Sequence, residues 1–437
     1  MRVLILADSC NPEWPSLPVV GFKAVRAISQ HAEVVLATHV RNRPAIEAAG
    51  GCGAAEIHYI DNEFIAKPMY ALSKFLRGGN EVGWTTHIAT IYPSYVAFEW
   101  KVWQQFKGEL KAGKFDVVHR VTPMSPTIPS PLARWSPVPF VLGPLNGGLK
   151  WPAEFTEQLK REKEYLTYLR GAYRMLPYYR STYDRSAAIL AGFQHTIDDL
   201  PQSTLPRVID FPEVGIDPEV FSSSGTRPPR ERKIILYAGR FVPYKCPDLP
   251  VAAFARNPEL RKHRLVMVGD GPERERIESI IREHSLEDCV ELLGWKTQAE
   301  VGELMRTADV FAFPSIRELG AGAVVEAMAC GLAMAVVDYG APAGLVTEEC
   351  GIKIPLGTKD ELTERYATEL EQLVGDEERL RSAGVASHER ALSVFSWDAK
   401  AVRTLEVYEW ATGRRVVRPD FEPESTELPE SEPRKIA

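Results

Sequence analysis

Short runs of apolar residues recur along this chain, and each run is bounded by glycine, proline or polar residues. In the first half, this pattern predicts buried strands at residues 3–7, 33–38, 56–60, 115–120, 139–142 and 186–191. In the second half, it predicts strands at residues 233–238, 264–268, 290–293, 310–313 and 333–337. Helical patterns, such as that of residues 19–29, lie between many of these runs. Alternation of strands and helices favours parallel, doubly wound α/β sheets.

A chain of 437 residues is too long for one ordinary hydrophobic core and suits two α/β domains. We predict an N-terminal domain over residues 1–206, a C-terminal domain over residues 207–393 and a final helix over residues 394–412. Residues 413–437 are predicted to form a disordered tail. From Pro419 onward, this tail combines prolines and acids without a core-forming pattern.

The composition is that of a soluble globular protein, with 45% apolar and 25% charged residues. A net charge of −7 argues against a general nucleic-acid-binding protein. The six cysteines are scattered without metal-ligand spacing, which favours reduced thiols in a cytosol. The opening apolar run is interpreted as a first strand and not as a signal peptide. No apolar run approaches the roughly 18 residues of a membrane span, so a cytoplasmic location is predicted.

The stretch from Pro314 to Gly331 carries the most informative pattern of the chain. A predicted strand leads into a loop with Glu318, and a helical pattern that contains Glu326 follows. The carboxyl end of a strand in an α/β sheet is where ligands bind, and the N–H groups of a helix start favour anionic ligands. The two carboxylates can therefore face one cleft at different depths. In isolation, a solvated loop acid and a first-turn glutamate would be the more ordinary interpretation.

The segment from Glu318 to Glu326, followed by Ala-Met-Ala-Cys-Gly, resembles the E-x7-E signature of retaining glycosyltransferases of family 4. The resemblance implies the GT-B fold, in which two Rossmann-like domains face a central cleft and the last helix crosses back to the first domain. It also implies that Glu318 positions the donor sugar and that Glu326 binds the ribose. The backbone N–H groups that would contact the sugar and diphosphate are those of Gly320, Ala321 and Gly322. The likeness is clear over residues 208–411 and loose over the N-terminal half.

Two cations follow the predicted strand at residues 233–238. Arg240 and Lys245 lie on the loop that begins with Gly239, and their spacing resembles the Gly-Arg…Lys pattern of the family. Arginine can bind a diphosphate through two N–H groups and lysine as a point charge. Such cations would stabilise the negative charge that develops on the departing nucleoside diphosphate. The alternative is two exposed surface cations.

Three further donor contacts are predicted at strand ends. Gly269 and Gly271 lie in a turn that suits a wall of the cleft, and the resemblance places Lys296 near the nucleobase. His119 follows Asp-Val-Val at the end of a buried strand, and this motif resembles the acceptor-domain motif whose histidine lies beside the donor sugar. We therefore predict His119 as a catalytic residue beside Glu318, with a structural histidine as the alternative.

Residues 150–185 mix many basic and aromatic side chains with four glutamates. One interpretation is a surface that contacts anionic lipid at the inner membrane face, while the enzyme modifies a lipid-linked acceptor. The other is a solvated helix pair with ion pairs, which we favour because the acids dilute the basic face.

These patterns together predict a hexosyl-type glycosyltransferase that uses a nucleoside-diphosphate sugar and retains the anomeric configuration. The acceptor would be a saccharide or a lipid-linked saccharide, in glycan or polysaccharide biosynthesis. The resemblance implies a reaction without a metal ion. The sequence agrees, because it contains no Asp-x-Asp motif that could hold a metal ion between diphosphate oxygens. No further cofactor is predicted. The alternatives are a sugar-nucleotide epimerase of the same fold and a non-catalytic sugar-nucleotide-binding subunit.

Overall fold

The computed structural model describes residues 1–77, 84–155, 171–222 and 230–421, with side chains for all of these except residues 72–77 and 84–90. The strands are β1 (Arg2–Ala7), β2 (Glu33–His39), β3 (Glu56–Ile60), β4 (Val117–Thr122), β5 (Phe140–Leu145), β6 (Ser186–Ala191), β7 (Val208–Asp210), β8 (Ile234–Ala238), β9 (Arg264–Val268), β10 (Val290–Gly294), β11 (Val310–Phe313), β12 (Ala333–Val337) and β13 (Gly351–Ile354).

The α-helices of the described residues are α1 (Leu17–Ile28), α2 (Arg43–Ala48), α3 (Glu63–Arg77), α4 (Trp84–Lys111), α5 (Pro131–Trp135), α6 (Tyr179–Arg185), α7 (Gln194–Ile197), α8 (Asp248–Arg256), α9 (Arg274–Glu283), α10 (Gln298–Thr307), α11 (Gly322–Ala329), α12 (Gly340–Leu345), α13 (Lys359–Gly375), α14 (Glu377–Arg390) and α15 (Trp397–Ala411). A π-helical turn, Ala391–Phe395, joins α14 to α15.

The strands form two parallel sheets. The first has the order β3-β2-β1-β4-β5-β6-β7, and the second has the order β10-β9-β8-β11-β12-β13. Every residue of β4, β5 and β12 is buried, because helices cover both faces of a doubly wound parallel sheet. The predicted fold of two Rossmann-like sheets is confirmed.

The first sheet extends past the boundary that the sequence predicted at residue 206. The short strand β7 pairs in parallel with β6, with Val208 opposite Ile189. The chain then enters the second domain through residues 211–222. The boundary therefore lies after Asp210, and the prediction placed it too early because a strand of three residues leaves little periodic signal.

The buried apolar residues form three clusters. One fills the face of the first sheet beneath α4, α5 and α6, and another fills the face of the second sheet beneath α8, α9 and α13. The third joins the two domains through α1, α11 and α15. The domains are therefore held together by a shared apolar layer as well as by the chain connections.

The last helix crosses back to the first domain, as predicted. α15 packs against α1, β5 and β6. Its start is fixed to the domain junction, because the Ile216 backbone N–H donates to the Phe395 carbonyl oxygen at 2.9 Å.

The chain that follows α15 is ordered over part of the predicted tail. Phe421 is buried, with its ring centroid 4.8 Å from that of Phe211. The prediction of disorder is therefore wrong for residues 413–421, because an aromatic anchor outweighs the acidic and proline-rich composition. Residues 422–437 lie outside the described residues.

Within the described part of the chain, no helix is both long enough and apolar enough to cross a bilayer.

The close contact between the domain junction and α15 can be tested at Gly215. A Cβ atom there would lie 2.7 Å from Cε2 of Trp397, so Gly215→Ala is expected to destabilise the protein by roughly 1–3 kcal/mol through overpacking. The matched control is Gly108→Ala, at a solvent-exposed position within α4, where a Cβ atom would meet nothing within 4 Å. That change should stabilise by up to about 1 kcal/mol. Equal urea midpoints for the two variants would contradict this account of the junction.

Candidate active site between the two sheets

The second sheet offers a crevice where its strand order reverses. β8 lies between β9 and β11, so the segments that follow β8 and β11 leave towards opposite sides of the sheet. Open α/β sheets bind ligands at such a switch point, outside the carboxyl ends of the strands. Residues 239–245 follow β8 and residues 314–322 follow β11. Most of the predicted donor-binding residues lie on these two segments.

Glycines bring the loops after β8 and β9 into direct contact. A Cβ atom on Gly269 would lie 1.9 Å from the carbonyl oxygen of Gly239, and one on Gly271 would lie 2.5 Å from that of Phe241. Both Gly269 and Gly271 also have positive φ, 132° and 152°, which other residues rarely adopt. The structure therefore places the three predicted glycines together on one wall of the crevice.

Lys245 and Glu318 meet across the crevice. The Lys245 ammonium forms an ion pair with Oε1 of Glu318, and each side chain is 13% exposed. The ammonium also lies 5.0 Å from the ring centroid of Phe313, and the Ser315 hydroxyl lies 3.4 Å from Oε1 of Glu318. Glu318, predicted to position the sugar, and Lys245, predicted to bind the diphosphate, are thus in direct contact.

Two other predicted cations lie at the protein surface, on the segments that follow β8 and β10. Arg240 is exposed and donates to the Tyr244 hydroxyl at 2.9 Å. Lys296 is also exposed, with Nζ 3.6 Å from Oε1 of Glu300. Both side chains can reach an anion without desolvating a buried charge.

The start of α11 completes the wall that follows β11. Ala321 has φ 52° and ψ 48° and directly precedes Gly322, the first residue of the helix. The first N–H groups of a helix have no partner within it and carry the positive end of its dipole. The Glu318 carbonyl oxygen accepts from the Ala341 N–H at 2.9 Å, which fixes the loop that carries Gly320.

Glu326 lies on α11, on the side of the helix that faces Lys23 of the first domain. Burial raises the pKa of its carboxyl, while the Lys23 ammonium and the Gln298 amide favour the charged form. Nε2 of Gln298 lies 3.4 Å from Oε1 of Glu326, and Lys23 pairs with Asp217 at 2.6 Å. The two carboxylates of the E-x7-E pattern therefore have different partners, Lys245 for Glu318 and Gln298 for Glu326.

The structure does not bring His119 to the crevice. β4 continues to Thr122, so His119 lies within the strand, opposite Ile5 and Val141. Its imidazole is buried, with Nε2 2.7 Å from the Gly143 carbonyl oxygen and Nδ1 2.7 Å from the Tyr408 hydroxyl. Both ring nitrogens are thus engaged in joining β4, β5 and α15, and this placement gives no support to the predicted catalytic role.

A polar contact between the domains was not found by sequence reasoning. The Asn146 side-chain amide, just after β5, donates to the Leu319 carbonyl oxygen at 2.7 Å and to Oε1 of Glu213. Glu213 is buried, and this burial raises its pKa to about 7. A Cβ atom on Gly320 would lie 2.6 Å from the same carboxylate oxygen. The first domain and the junction are therefore packed directly against the loop that carries Glu318.

The segment at 149–151 forms a second contact between the domains. The Tyr339 hydroxyl donates to the Lys150 carbonyl oxygen at 2.8 Å, and the Arg317 guanidinium lies 5.1 Å from the Trp151 ring centroid. Arg317 and Tyr339 flank the loop of Glu318 and the start of α12. The crevice is therefore bounded on this side by the first domain.

The first sheet has its own pocket at the carboxyl ends of β1, β2 and β3. It encloses about 280 Å³, and its lining includes Asp8, His39, Arg41 and Asn62. Two buried polar atoms in this lining, Nε2 of His39 and Oδ1 of Asn62, make no hydrogen bond within the described residues, although Nε2 lies 3.6 Å from Oε1 of Glu63. Arg41 is already held by Glu63. Unused polar atoms in a pocket at strand ends are typical of a site for a polar ligand.

Among the residues that the structure describes, no three His, Cys, Asp or Glu side chains come together in an arrangement able to hold a metal ion.

The buried position of His119 predicts a loss of stability in acid. Burial lowers the pKa of His119 from 6.5 to about 4. Between pH 6.5 and pH 4, the imidazole is therefore protonated in the unfolded chain and neutral in the folded chain. Stability should therefore fall as the pH drops from 6.5 to 4, by roughly 3 kcal/mol from this group. His119→Gln should flatten the stability curve over that range, measured by urea unfolding. The exposed control His284→Gln should keep the wild-type slope, and equal slopes for both variants would contradict the burial of a neutral His119.

Comparisons with known proteins agree with this geometry. Residues 222–386 match the model of the family described as glycosyl transferases group 1. The D-inositol 3-phosphate glycosyltransferase of Kineococcus radiotolerans is 31% identical over 268 residues, which cover 55% of this chain and 60% of that protein. Its counterpart from Stackebrandtia nassauensis is 32% identical over 230 residues, 48% of this chain and 51% of that protein. The chain thus spans only about half the length of the curated relatives it matches.

Solved structures match over nearly the whole chain. Sucrose-phosphate synthase from Thermosynechococcus elongatus has a TM-score of 0.61 at 17% identity, covering 95% of this chain and 100% of that one. The Anabaena protein HepE, solved in complex with UDP and glucose, has a TM-score of 0.56 at 16% identity, covering 93% and 98%. At such identities the likeness shows the fold. Residues 222–386 thus resemble the glycosyl transferases group 1, and the chain as a whole shares the two-domain GT-B fold with these solved structures.

Proposed function

We propose that this chain transfers a sugar from a nucleoside-diphosphate donor to a saccharide or lipid-linked acceptor, with retention of the anomeric configuration and without a metal ion. The observation that carries the proposal is the meeting of Lys245 and Glu318 at the switch point of the second sheet. The other residues that we assign to the donor lie on the segments that follow β8, β9, β10 and β11.

The charges around the crevice suit a diphosphate. Lys245 is neutralised by Glu318 in this structure, whereas Arg240 is exposed and bound only by a neutral hydroxyl among the described residues. A diphosphate would draw Lys245 and Arg240 together with the helix start at Gly322. These fixed positive groups stabilise the leaving diphosphate more as its charge grows, which lowers the barrier. Glu318, released from Lys245, can then accept hydrogen bonds from sugar hydroxyls.

The base and sugar of the donor are suggested by a structural neighbour. HepE was solved with UDP and glucose, so UDP-glucose is the first donor to test. Glu326 remains our candidate for the ribose, because it lies on α11, which directly follows the loop of Glu318.

The pocket of the first domain suits the acceptor. Its unsatisfied imidazole and amide atoms can bind hydroxyl groups, and the Trp14 ring, 45% exposed, can pack on the apolar face of a sugar or cyclitol. Two curated relatives are named for D-inositol 3-phosphate, so a polyhydroxylated acceptor is consistent with them. The predicted lipid contact of residues 150–185 stays a prediction, since residues 156–170 lie outside the described residues.

The central test uses a panel of nucleoside-diphosphate sugars, followed by proton NMR with and without candidate acceptors. Glu318→Gln should lower turnover about 100-fold while nucleoside diphosphate still binds, because the change removes a charge used on the sugar. Lys245→Gln should weaken nucleoside-diphosphate binding roughly 10- to 100-fold. The control Glu291→Gln, which breaks only an exposed ion pair with Arg264, should leave both unchanged.

The other outcomes of that panel are informative. Change of the donor sugar without acceptor would show an epimerase, and binding without turnover across all acceptors would show a non-catalytic subunit. Inversion at the anomeric carbon would contradict the proposed stereochemistry.

A second prediction concerns the contact between the domains. Asn146→Ala removes the hydrogen bonds to Leu319 and Glu213, so the loop of Glu318 loses its support from the first domain. We expect turnover to fall about 10-fold or more, since small displacements of positioning groups are costly. The control is Asn257→Ala, which removes a side-chain hydrogen bond to Glu371 within the second domain. Equal activities for the two variants would contradict a role of Asn146 in catalysis.

A further inference from the structure

A second pocket in the first domain is lined by arginines. It encloses about 620 Å³, and its lining includes Arg134, Arg174, Arg180 and Arg185. Arg134 is carried by α5, Arg180 and Arg185 by α6, and Arg174 by the turn Ala172–Met175 before α6. A volume of this size lies within the ordinary range for small-ligand sites.

The walls of this arginine pocket are held by specific contacts. The Thr182 hydroxyl of α6 accepts from the Ser130 N–H at 2.7 Å, which ties α6 to the start of α5. The rings of Trp135 and Tyr178 pack edge to face at 5.7 Å. The Tyr92 hydroxyl donates to the Pro177 carbonyl oxygen at 2.5 Å. These contacts hold α5, α6 and the segment before α6 together, and these elements carry the lining residues.

The charge in the pocket is positive and only partly balanced. Arg174 pairs with Asp199 at 2.9 Å. Arg134, Arg180 and Arg185 are exposed and make no ion pair with any described residue. Asp184 is the single acid of the lining.

A further cation lies close to that acid. The guanidinium of Arg207 donates to the backbone carbonyl oxygens of Asp184 and Ser186, at 3.1 and 2.6 Å. Such a concentration of positive charge stands out on a chain whose net charge is −7. Clustered guanidinium groups repel one another unless an anion lies between them.

This pocket is separate from the donor crevice. Arg185 directly precedes β6, and Arg134 lies six residues before β5 begins at Phe140. The pocket therefore lies towards the amino ends of these strands. Asn146, just after β5, shows that the carboxyl ends face the second domain. An anion in the arginine pocket would thus be distinct from the donor diphosphate.

We propose that the arginine pocket binds a ligand that carries a phosphate ester group. Guanidinium groups bind phosphate oxygens in planar, two-point hydrogen bonds, and three arginines without an ion-pair partner among the described residues suit the nearly two negative charges of a phosphate monoester. The apolar part of such a ligand has a partner beside the arginines, because Met175 is 88% exposed and also lines the pocket. The phosphate can belong to a lipid headgroup or to a soluble phosphate compound. The inference does not depend on the transferase activity.

The test compares two triple variants of the full-length chain. The pocket variant is Arg134→Gln/Arg180→Gln/Arg185→Gln, and the control is Arg282→Gln/Arg379→Gln/Arg381→Gln, which changes exposed arginines of the second domain. Both are made in a Lys245→Gln background, so that the donor crevice contributes little to anion binding. One arm titrates inorganic pyrophosphate by calorimetry. The other arm floats the protein with vesicles of phosphatidylcholine, either alone or with about 30% phosphatidylglycerol, which gives the vesicles a negative surface potential.

The proposal expects binding in at least one arm, at least about 10-fold weaker in the pocket variant and unchanged in the control. Binding only to anionic vesicles identifies a headgroup as the ligand, and saturable pyrophosphate binding identifies a soluble phosphate compound. Absence of binding in both arms, or equal losses in both triple variants, would overturn the proposal. If the pocket variant melts below the control, the single changes Arg180→Gln and Arg180→Lys replace it. Lysine should then restore part of the binding that glutamine removes.

Discussion

Strands β8 and β11 lie side by side in the second sheet, and the chain leaves them towards opposite sides. Because the two strands are neighbours, the segments that follow them bring together most of the residues that we propose to bind the donor. Lys245 arrives from one strand and Glu318 from the other, and they meet in an ion pair. The glycines after β9 close one wall because no side chain fits between their backbone and that of the loop after β8.

The first domain acts on the same crevice from the other side. The Asn146 amide holds the backbone of Leu319, and Glu213 lies against Gly320. The crossing helix α15 and the apolar layer shared by the domains keep these groups in place. Placement of the donor loop is therefore a property of both domains and of the junction, although the charged donor groups themselves come from the second domain.

The strands and the outline of the site could be predicted from the sequence where the signal is local. The bounds of β6, β9, β11 and β12 agree with the predicted runs, because each is a buried apolar segment with a polar or glycine boundary. The sequence does not predict β7 and β13. β7 lies in the proline-rich connection between the domains, and β13 combines a glycine and a lysine with two isoleucines, so neither forms a purely apolar run.

Features that depend on distant residues could not be predicted in this way. The sequence predicts His119 at the end of a strand, but β4 continues to Thr122 and the Tyr408 hydroxyl of α15 contacts the imidazole. The Asn146–Glu213 contact joins residues 67 positions apart, and the burial of Phe421 depends on Phe211 and Phe395. The pattern of apolar and polar residues within one segment carries no information about such long-range contacts.

The central claim is that a nucleoside diphosphate binds at the switch point of the second sheet. Amide hydrogen exchange with and without UDP tests it most directly. The account predicts slower exchange for the loops at residues 239–245 and 318–326, with little change in β2 and β3 of the first domain. Slower exchange confined to the first domain, with both loops unchanged at saturating UDP, would contradict it.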